Sequence, residues 1–331
     1  MIGGQHARLQ VWTYCLAGAL AWCAWATVRA ADKPLPAAEA RQWLVRMHTA
    51  ATQRNYQGTL VVTADGVMSS SRLAHFCEGN ESYERAVLRH NDKVVTVWPS
   101  SKVARVERRE PIQAFPRLPS GGEEQLFDRY DMVSEGPGRV AGHEAAVFLL
   151  RPRDNSRFAQ RLWAEQGSGL LLRADVLAQD GRVLETTAFS DVAIGVRAQP
   201  DSVLAAMKKL DGYRVVKALP RRTSLDDEGW QLKNPIAGFR QVSCVKRSLD
   251  PLADADRPAG AEVLQAIFSD GLTHVSLFIE PHQADRHRAG SATIGATHTW
   301  MQPVGAHWLT VVGDVPMATL KQFAAALEPK R

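Results

Sequence analysis

Cysteine is scarce in this chain, with four in 331 residues, at Cys15, Cys23, Cys77 and Cys244. Two of these sit in the apolar N-terminal stretch, so a disulfide-stapled scaffold is excluded, and whether Cys77 and Cys244 pair is left open by their distance in sequence. A surplus of one charge is also lacking, because 40 basic residues face 35 acidic ones. Nucleic acid is therefore not an expected partner. No glycine-rich phosphate loop followed by lysine is present, and Gly167-Ser168-Gly169 lacks the form of a nucleophile elbow. Ten histidines are present, but the closest groups, His75 with Cys77 and His282 with Asp285 and His287, lack the paired spacing of a zinc site. The loop from His282 to Arg288 is charged and expected in solvent. No cofactor or metal is expected, and the chain reads as a binding protein rather than an enzyme.

What is present begins with a secretory leader. Arg8 precedes an apolar run from Leu9 to Ala26, and Val28 and Ala30 supply small residues for cleavage after position 30. An uncleaved anchor is the competing reading, since the run is about long enough to span a bilayer. Cleavage removes two basic residues, Arg8 and Arg29, and no acidic one, which lowers the formal charge from +5.

The stretch from Tyr56 to Arg108 organises the rest. Segments rich in Val, Leu, Thr and aromatics are cut by Asp65-Gly66, Gly79-Asn80, Asn91-Asp92 and Pro99-Ser100-Ser101. Connections this short link only antiparallel neighbours. Apolar side chains fall on both faces, as in Val94 to Trp98, so the sheet needs covering on both sides. A second layer, barrel closure or a bound lipid would each serve. The helix expected over Pro36 to Arg54, with Trp43, Leu44, Met47 and Ala51 in one stripe, covers one face. Arg109 to Gly122 holds Pro111, Pro116 and Pro119 and reads as a long loop whose Ile112, Phe115 and Leu118 are either tucked back or offered to a ligand.

Beyond that loop a short helix is expected over Glu123 to Tyr130. Strands are expected over Arg139 to Pro152, Ala159 to Glu165, Leu170 to Ala178 and Arg182 to Ile194. Turns are expected at Gly136-Pro137-Gly138, Gly167-Ser168-Gly169 and Asp180-Gly181. About ten sequential antiparallel strands must curl, closing fully or leaving a half barrel. Asp201 to Leu210 reads as a capped helix. Further strands are expected over Phe239 to Val245, Glu262 to Phe268, Leu272 to Glu280, Thr293 to Met301 and His307 to Val312, with Ser269-Asp270-Gly271 as a hairpin turn. A closing amphipathic helix, Met317 to Leu327, completes a small α+β unit.

Three stretches carry a resemblance. They are LVRMHTAATQRNYQGTLVV (44–62), FSDGLTHVSLFIEP (268–281) and WLTVVGDVPMATLKQFAAAL (308–327). Together they resemble the RseB/MucB family of periplasmic regulators of the envelope-stress sigma factor. The resemblance implies a mainly β fold with α. An unclosed antiparallel β-barrel, similar to lipoprotein carriers and covered by helices, would be followed by a small α+β C-terminal domain. The expected division is a signal peptide at 1–30, a half-barrel lipid-sensing domain at 31–210, a linker at 211–229 and a partner-binding domain at 230–331. The implied partners are the periplasmic domain of a transmembrane anti-sigma factor, which would be shielded from proteolysis, and lipid or lipopolysaccharide, which would loosen the grip. A homo-oligomer stays open, and a plain lipid or lipoprotein carrier is the alternative function. The acyl-chain cradle is expected at Leu60, Val62, Trp98, Phe115, Leu118, Phe127, Trp163, Leu172 and Phe189. Arg105, Arg108, Arg109, Arg151 and Arg153 are expected near lipid phosphate. Partner contacts are expected at Arg221, Arg222, Trp230, Phe239 and Phe268. The sequence departs from the family's wording at Pro235-Ile236-Ala237, which bears on contacts near Phe239.

Overall fold

The structure, a computed structural model, describes residues 33–75, 89–90, 93–98, 103–108, 115, 126–197, 214–217, 220–248 and 262–330. The leader, Cys77, Leu118, Arg109, the expected helix at 201–210 and the side chains of Trp98, Arg105 and Arg108 lie outside the described residues. Helix α1 (Ala37–Gln53) contains no Gly or Pro, and it buries Ala40, Leu44, Met47, Ala50 and Ala51, the stripe that helical spacing demands.

That stripe packs on a sheet. Strands β1 (Tyr56–Ala64), β2 (Val67–His75), β3 (Arg89–His90), β4 (Lys93–Trp98) and β5 (Val103–Arg108) come first. They are followed by β6 (Tyr130–Val140), β7 (His143–Pro152), β8 (Ala159–Glu165), β9 (Leu171–Leu177), β10 (Val183–Ile194) and β11 (Arg214–Lys217). Seven form an open sheet in the order β2-β1-β10-β9-β8-β7-β6, and β11-β5-β4-β3 form a second sheet of four. The large sheet does not close, because β2 and β6 remain its two edges. It curls strongly, however, bringing His143 Nε2 at the start of β7 to 3.0 Å from the Val192 carbonyl on β10.

Two local expectations are corrected here. Gly136-Pro137-Gly138 is not a turn but lies inside β6, where the register to β7 shifts between Ser134 and Gly136 and Gly136 adopts φ 93°. An edge strand tolerates proline, which has no amide to donate, and the real turn is Ala141-Gly142. The helix expected to reach Tyr130 is a single described turn at Leu126–Phe127, and Tyr130 already begins β6.

The C-terminal half contains β12 (Arg221–Arg222), β13 (Trp230–Leu232), β14 (Arg240–Ser248), β15 (Glu262–Ser269) and β16 (His274–Pro281). It continues with β17 (Gly290–Ile294), β18 (Thr297–Val304), β19 (His307–Gly313), helix α2 (Met317–Ala326) and β20 (Leu327–Pro329). Seven strands pair as β12-β14-β15-β16-β19-β18-β17, while β13 and β20 tie the ends of the unit together. Helix α2 buries Leu320, Phe323 and Ala324 against Phe268, Leu277, Leu309 and Val311. The Leu320 and Phe323 side chains, wholly withdrawn from water, each contribute about 1.5–3 kcal/mol. The expected single strand from Thr293 to Met301 is a hairpin, because Gly295 at φ 58° turns the chain between β17 and β18. The stretch 211–229 is no free tether. Part of it pairs with β5, and Leu225 is buried in the C-terminal core.

Candidate binding surfaces

The interior of the N-terminal half is assembled from two adjoining groups of apolar side chains. One joins Leu44 and Met47 of α1 to Phe148, Leu150, Leu162 and Leu171. The other joins Tyr56, Leu60, Leu73, Leu172 and Phe189. Phe115, from the proline-rich loop, packs against both, its ring 5.8 Å from Phe189. Of the two alternatives for that loop, this residue is tucked back. An apolar interior overlaid by one inserted aromatic favours ligands through area removed from water rather than directional bonds.

This interior is not made by the N-terminal half alone. Leu272, within the β15–β16 turn of the C-terminal half, packs into the same group as Met47 and Phe148. Asp270, in that turn, uses Oδ1 to accept the backbone amides of Leu272 and Thr273, both at 2.9 Å. Its Oδ2 accepts the Tyr130 hydroxyl at 2.9 Å and Arg157 Nε at 2.6 Å. Both the Arg157 and Asp270 side chains are 0% exposed. Arg157 also donates to Asp154 and to the Ala237 carbonyl, each at 2.6 Å, and its guanidinium lies 4.7 Å above the Phe239 ring. Gly238 is required there, since a Cβ would stand 2.5 Å from Arg157 Nη2. Burial, reinforced by the charge of Asp270, pushes the Tyr130 hydroxyl well above its ordinary range, so it stays a donor. Two charges this deep must be fully paired, and here they are.

A second contact also crosses the seam. The Gly295 amide donates to Asp65 Oδ2 at 2.5 Å, so the β17–β18 turn sits on the β1–β2 turn. Two further contacts cross the seam: Thr319 Oγ1 donates to the Ser156 carbonyl at 3.0 Å, and His298 meets Phe158 edge-on at 5.7 Å. His298 Nδ1 lies 2.7 Å from the Val315 carbonyl, which makes that nitrogen the one carrying hydrogen.

The residues expected to line a cradle divide. Leu60, Leu172, Phe189 and Phe115 meet, and Phe127 joins the neighbouring group. Val62 pairs with Thr187 on β10 and is half-buried. Trp163 is half-buried and packs against the same group as Leu60, Leu172 and Phe189, with Arg173 stacked 4.4 Å from its ring. Of the basic residues expected near phosphate, Arg153 is held by Asp131 at 2.8 Å. The residues expected to contact a partner divide as well. Trp230, Phe239 and Phe268 are 5–6% exposed and belong to the C-terminal core, because a ring of that size contributes most when wholly covered. Arg221 is exposed but engaged by Glu228 at 3.4 Å, while Arg222 is exposed with no ion pair among the described residues. His287 is half-buried rather than free in solvent, stacked 4.7 Å from Trp308. Among the described residues no three of His, Cys, Asp or Glu stand together as metal ligands, and no helix is long and apolar enough to cross a membrane. Sequence reasoning missed Tyr130, Arg157 and Asp270; a basic residue within the polar stretch Arg153–Arg157, with acids only nearby, carried no local sign of burial.

Fold and surfaces together define a two-part β-rich protein whose apolar interior and domain seam share residues, the layout of a binding protein. Residues 39–207 match the MucB/RseB N-terminal domain and residues 224–328 match the MucB/RseB C-terminal domain. The chain therefore belongs to the MucB/RseB family. It is 26% identical over 311 residues to the sigma factor AlgU regulatory protein MucB of Pseudomonas aeruginosa, covering 89% of this chain and 92% of that one. It is 23% identical to the sigma-E factor regulatory protein RseB of Haemophilus influenzae, covering 86% and 89%. The crystal structure of MucB in complex with MucA(peri) superposes with a TM-score of 0.63 at 25% identity, covering 88% of this chain and 99% of that one.

Proposed function

We propose that this chain controls an extracytoplasmic-stress sigma factor from the periplasm. It binds the periplasmic segment of a membrane anti-sigma factor, shields that segment from regulated proteolysis, and releases it on sensing lipid or lipopolysaccharide. The observation that carries this reading is likeness through both halves to a sigma-factor regulator solved with MucA(peri). The apolar interior supports the lipid half of the reading, and Leu272 supplies a physical link between interior and seam. An acyl chain that displaces Phe115 and presses on Leu272 acts on the hairpin that Asp270 anchors. Linkage then requires that the lipid prefer the arrangement that holds the segment less well. A plain carrier would leave the C-terminal sheet without a role.

The test is titration of the chain from residue 31 onward with the periplasmic peptide of its cognate anti-sigma factor, with and without lipopolysaccharide. A Kd of about 10 µM or tighter, weakened at least about tenfold by lipopolysaccharide, is expected. The bound peptide should also resist a protease that cuts it when free. No binding at about 100 µM would remove the reading.

A further inference from the structure

The part of the seam under the β17–β18 turn has an unusual charge balance. Glu185 on β10 pairs across β1 with Ala64 and across β9 with Val176. The β17–β18 turn is set directly on this place, since a Cβ on Gly295 would stand 2.6 Å from Ala64 Cβ and 3.1 Å from the Leu184 carbonyl. Glu185 is half-buried beside this contact, and among the described residues its carboxyl makes no hydrogen bond or ion pair. The charge that reaches it is a like one, Asp314 of the C-terminal half. Asp314 Oδ1 accepts the hydroxyl of Thr297 at 2.6 Å, and among the described residues it has no cationic partner.

Among the described residues, the other ionisable groups of this region do not correct the balance. Asp65, on the turn beside Ala64, is acidic too and is bonded to the Gly295 amide. Asp175 is committed to Arg173 and Thr186. His298 is committed to the Val315 carbonyl through Nδ1. His274 lies near Asp314, but burial holds it below its ordinary value against the pull of Asp314 and Asp270, so at neutral pH it offers no counter-charge.

We propose that this seam is a pH-responsive clasp, closed most firmly when Glu185 carries a proton and loosened when Glu185 and Asp314 are both ionised. Burial first, and Asp314 second, push Glu185 up to about 7 from the ordinary carboxylate range. With a raised value the closed form binds the proton more tightly than an opened one. Closing is thus favoured at mildly acidic pH and weakens as the pH rises through about 7. Because Glu185 keeps part of its contact with water, the closed-to-open ratio should fall by about two- to tenfold between pH 6 and 8.5. The clasp requires neither lipid nor protein partner.

Amide hydrogen exchange of the Gly295 N–H, which opens only when that turn leaves Asp65, reads the equilibrium directly. The protection factor, taken against the unstructured-chain rate at the same pH, should fall about two- to tenfold from pH 6 to 8.5 in the unaltered chain. In Glu185→Gln, which mimics the protonated carboxyl and keeps its shape, protection should stay high and flat. In Asp314→Asn the fall should shrink. A flat profile in the unaltered chain, or an undiminished fall in Glu185→Gln, overturns the clasp. Either result leaves peptide binding as a separate question.

Discussion

Replacing Asp270 with Ala removes four hydrogen bonds at once: Tyr130 and Arg157 across the seam, and the Leu272 and Thr273 amides within the turn. Arg157, 0% exposed, would keep Asp154 and the Ala237 carbonyl but lose its buried counter-charge. Stranding one member of such a pair costs about 3–5 kcal/mol, and the surviving Asp154 contact reduces this to about 2–4 kcal/mol. For halves of this size each kcal/mol lowers Tm by roughly 2–4 °C, so calorimetry should show a fall of about 4–16 °C. The loss should fall on the docking of the halves, giving two separated transitions where the unaltered chain shows more merged melting. Asp270→Asn keeps the turn acceptor without the charge and should cost less. Tyr130→Phe should cost about 1–2 kcal/mol, and combining it with Asp270→Ala should cost less than the sum, since one bond is removed twice. A Tm change under about 1 °C for Asp270→Ala, or strict additivity in the pair, would refute the coupling of these residues.

Other outcomes follow from the same geometry. Phe115→Ala should raise the affinity for a fluorescent fatty-acid probe about 3- to 10-fold, because a competing ring worth about 0.5–1.5 kcal/mol leaves Phe189; fluorescence titration checks this. Gly295→Ala sets a Cβ 2.6 Å from Ala64 at a left-handed φ of 58°, and should weaken the seam by about 1–3 kcal/mol, measurable as lost amide protection in β17 and β18 while α2 stays protected. Cys244 is a free thiol pushed up to about 11 by burial, then by Glu228 and Asp227. In a chain with Cys77 replaced it should react with a thiol reagent at pH 8 at least about 100-fold more slowly than after denaturation.

Much of the local structure was legible because its causes lie within a few residues. Asp65-Gly66 and Asp180-Gly181 carry the positive φ that tight turns need, and both fall between strands. The stripe of α1 and the Met317 to Leu327 pattern announced helices with one buried face, and the curl of the sheet followed from too many consecutive strands to stay flat. Gly136-Pro137-Gly138 misled because glycine and proline suit an edge bulge as well as a turn. Gly295 was overlooked because a lone glycine between Ile and Ala carries little turn chemistry of its own.

What the sequence alone determined is thus most of the strands, the two long described helices with their buried stripes, and the resemblance to the family. Only the tertiary structure decided what joins the two halves. Arg157 meets Asp270 across 113 residues, and Asp65 meets the Gly295 amide across 230. Nothing within one turn of any of these residues distinguishes them from solvated charges. A partner supplied by the fold alone makes burial of their polar groups affordable, and periodicity and turn chemistry report only on neighbours along the chain.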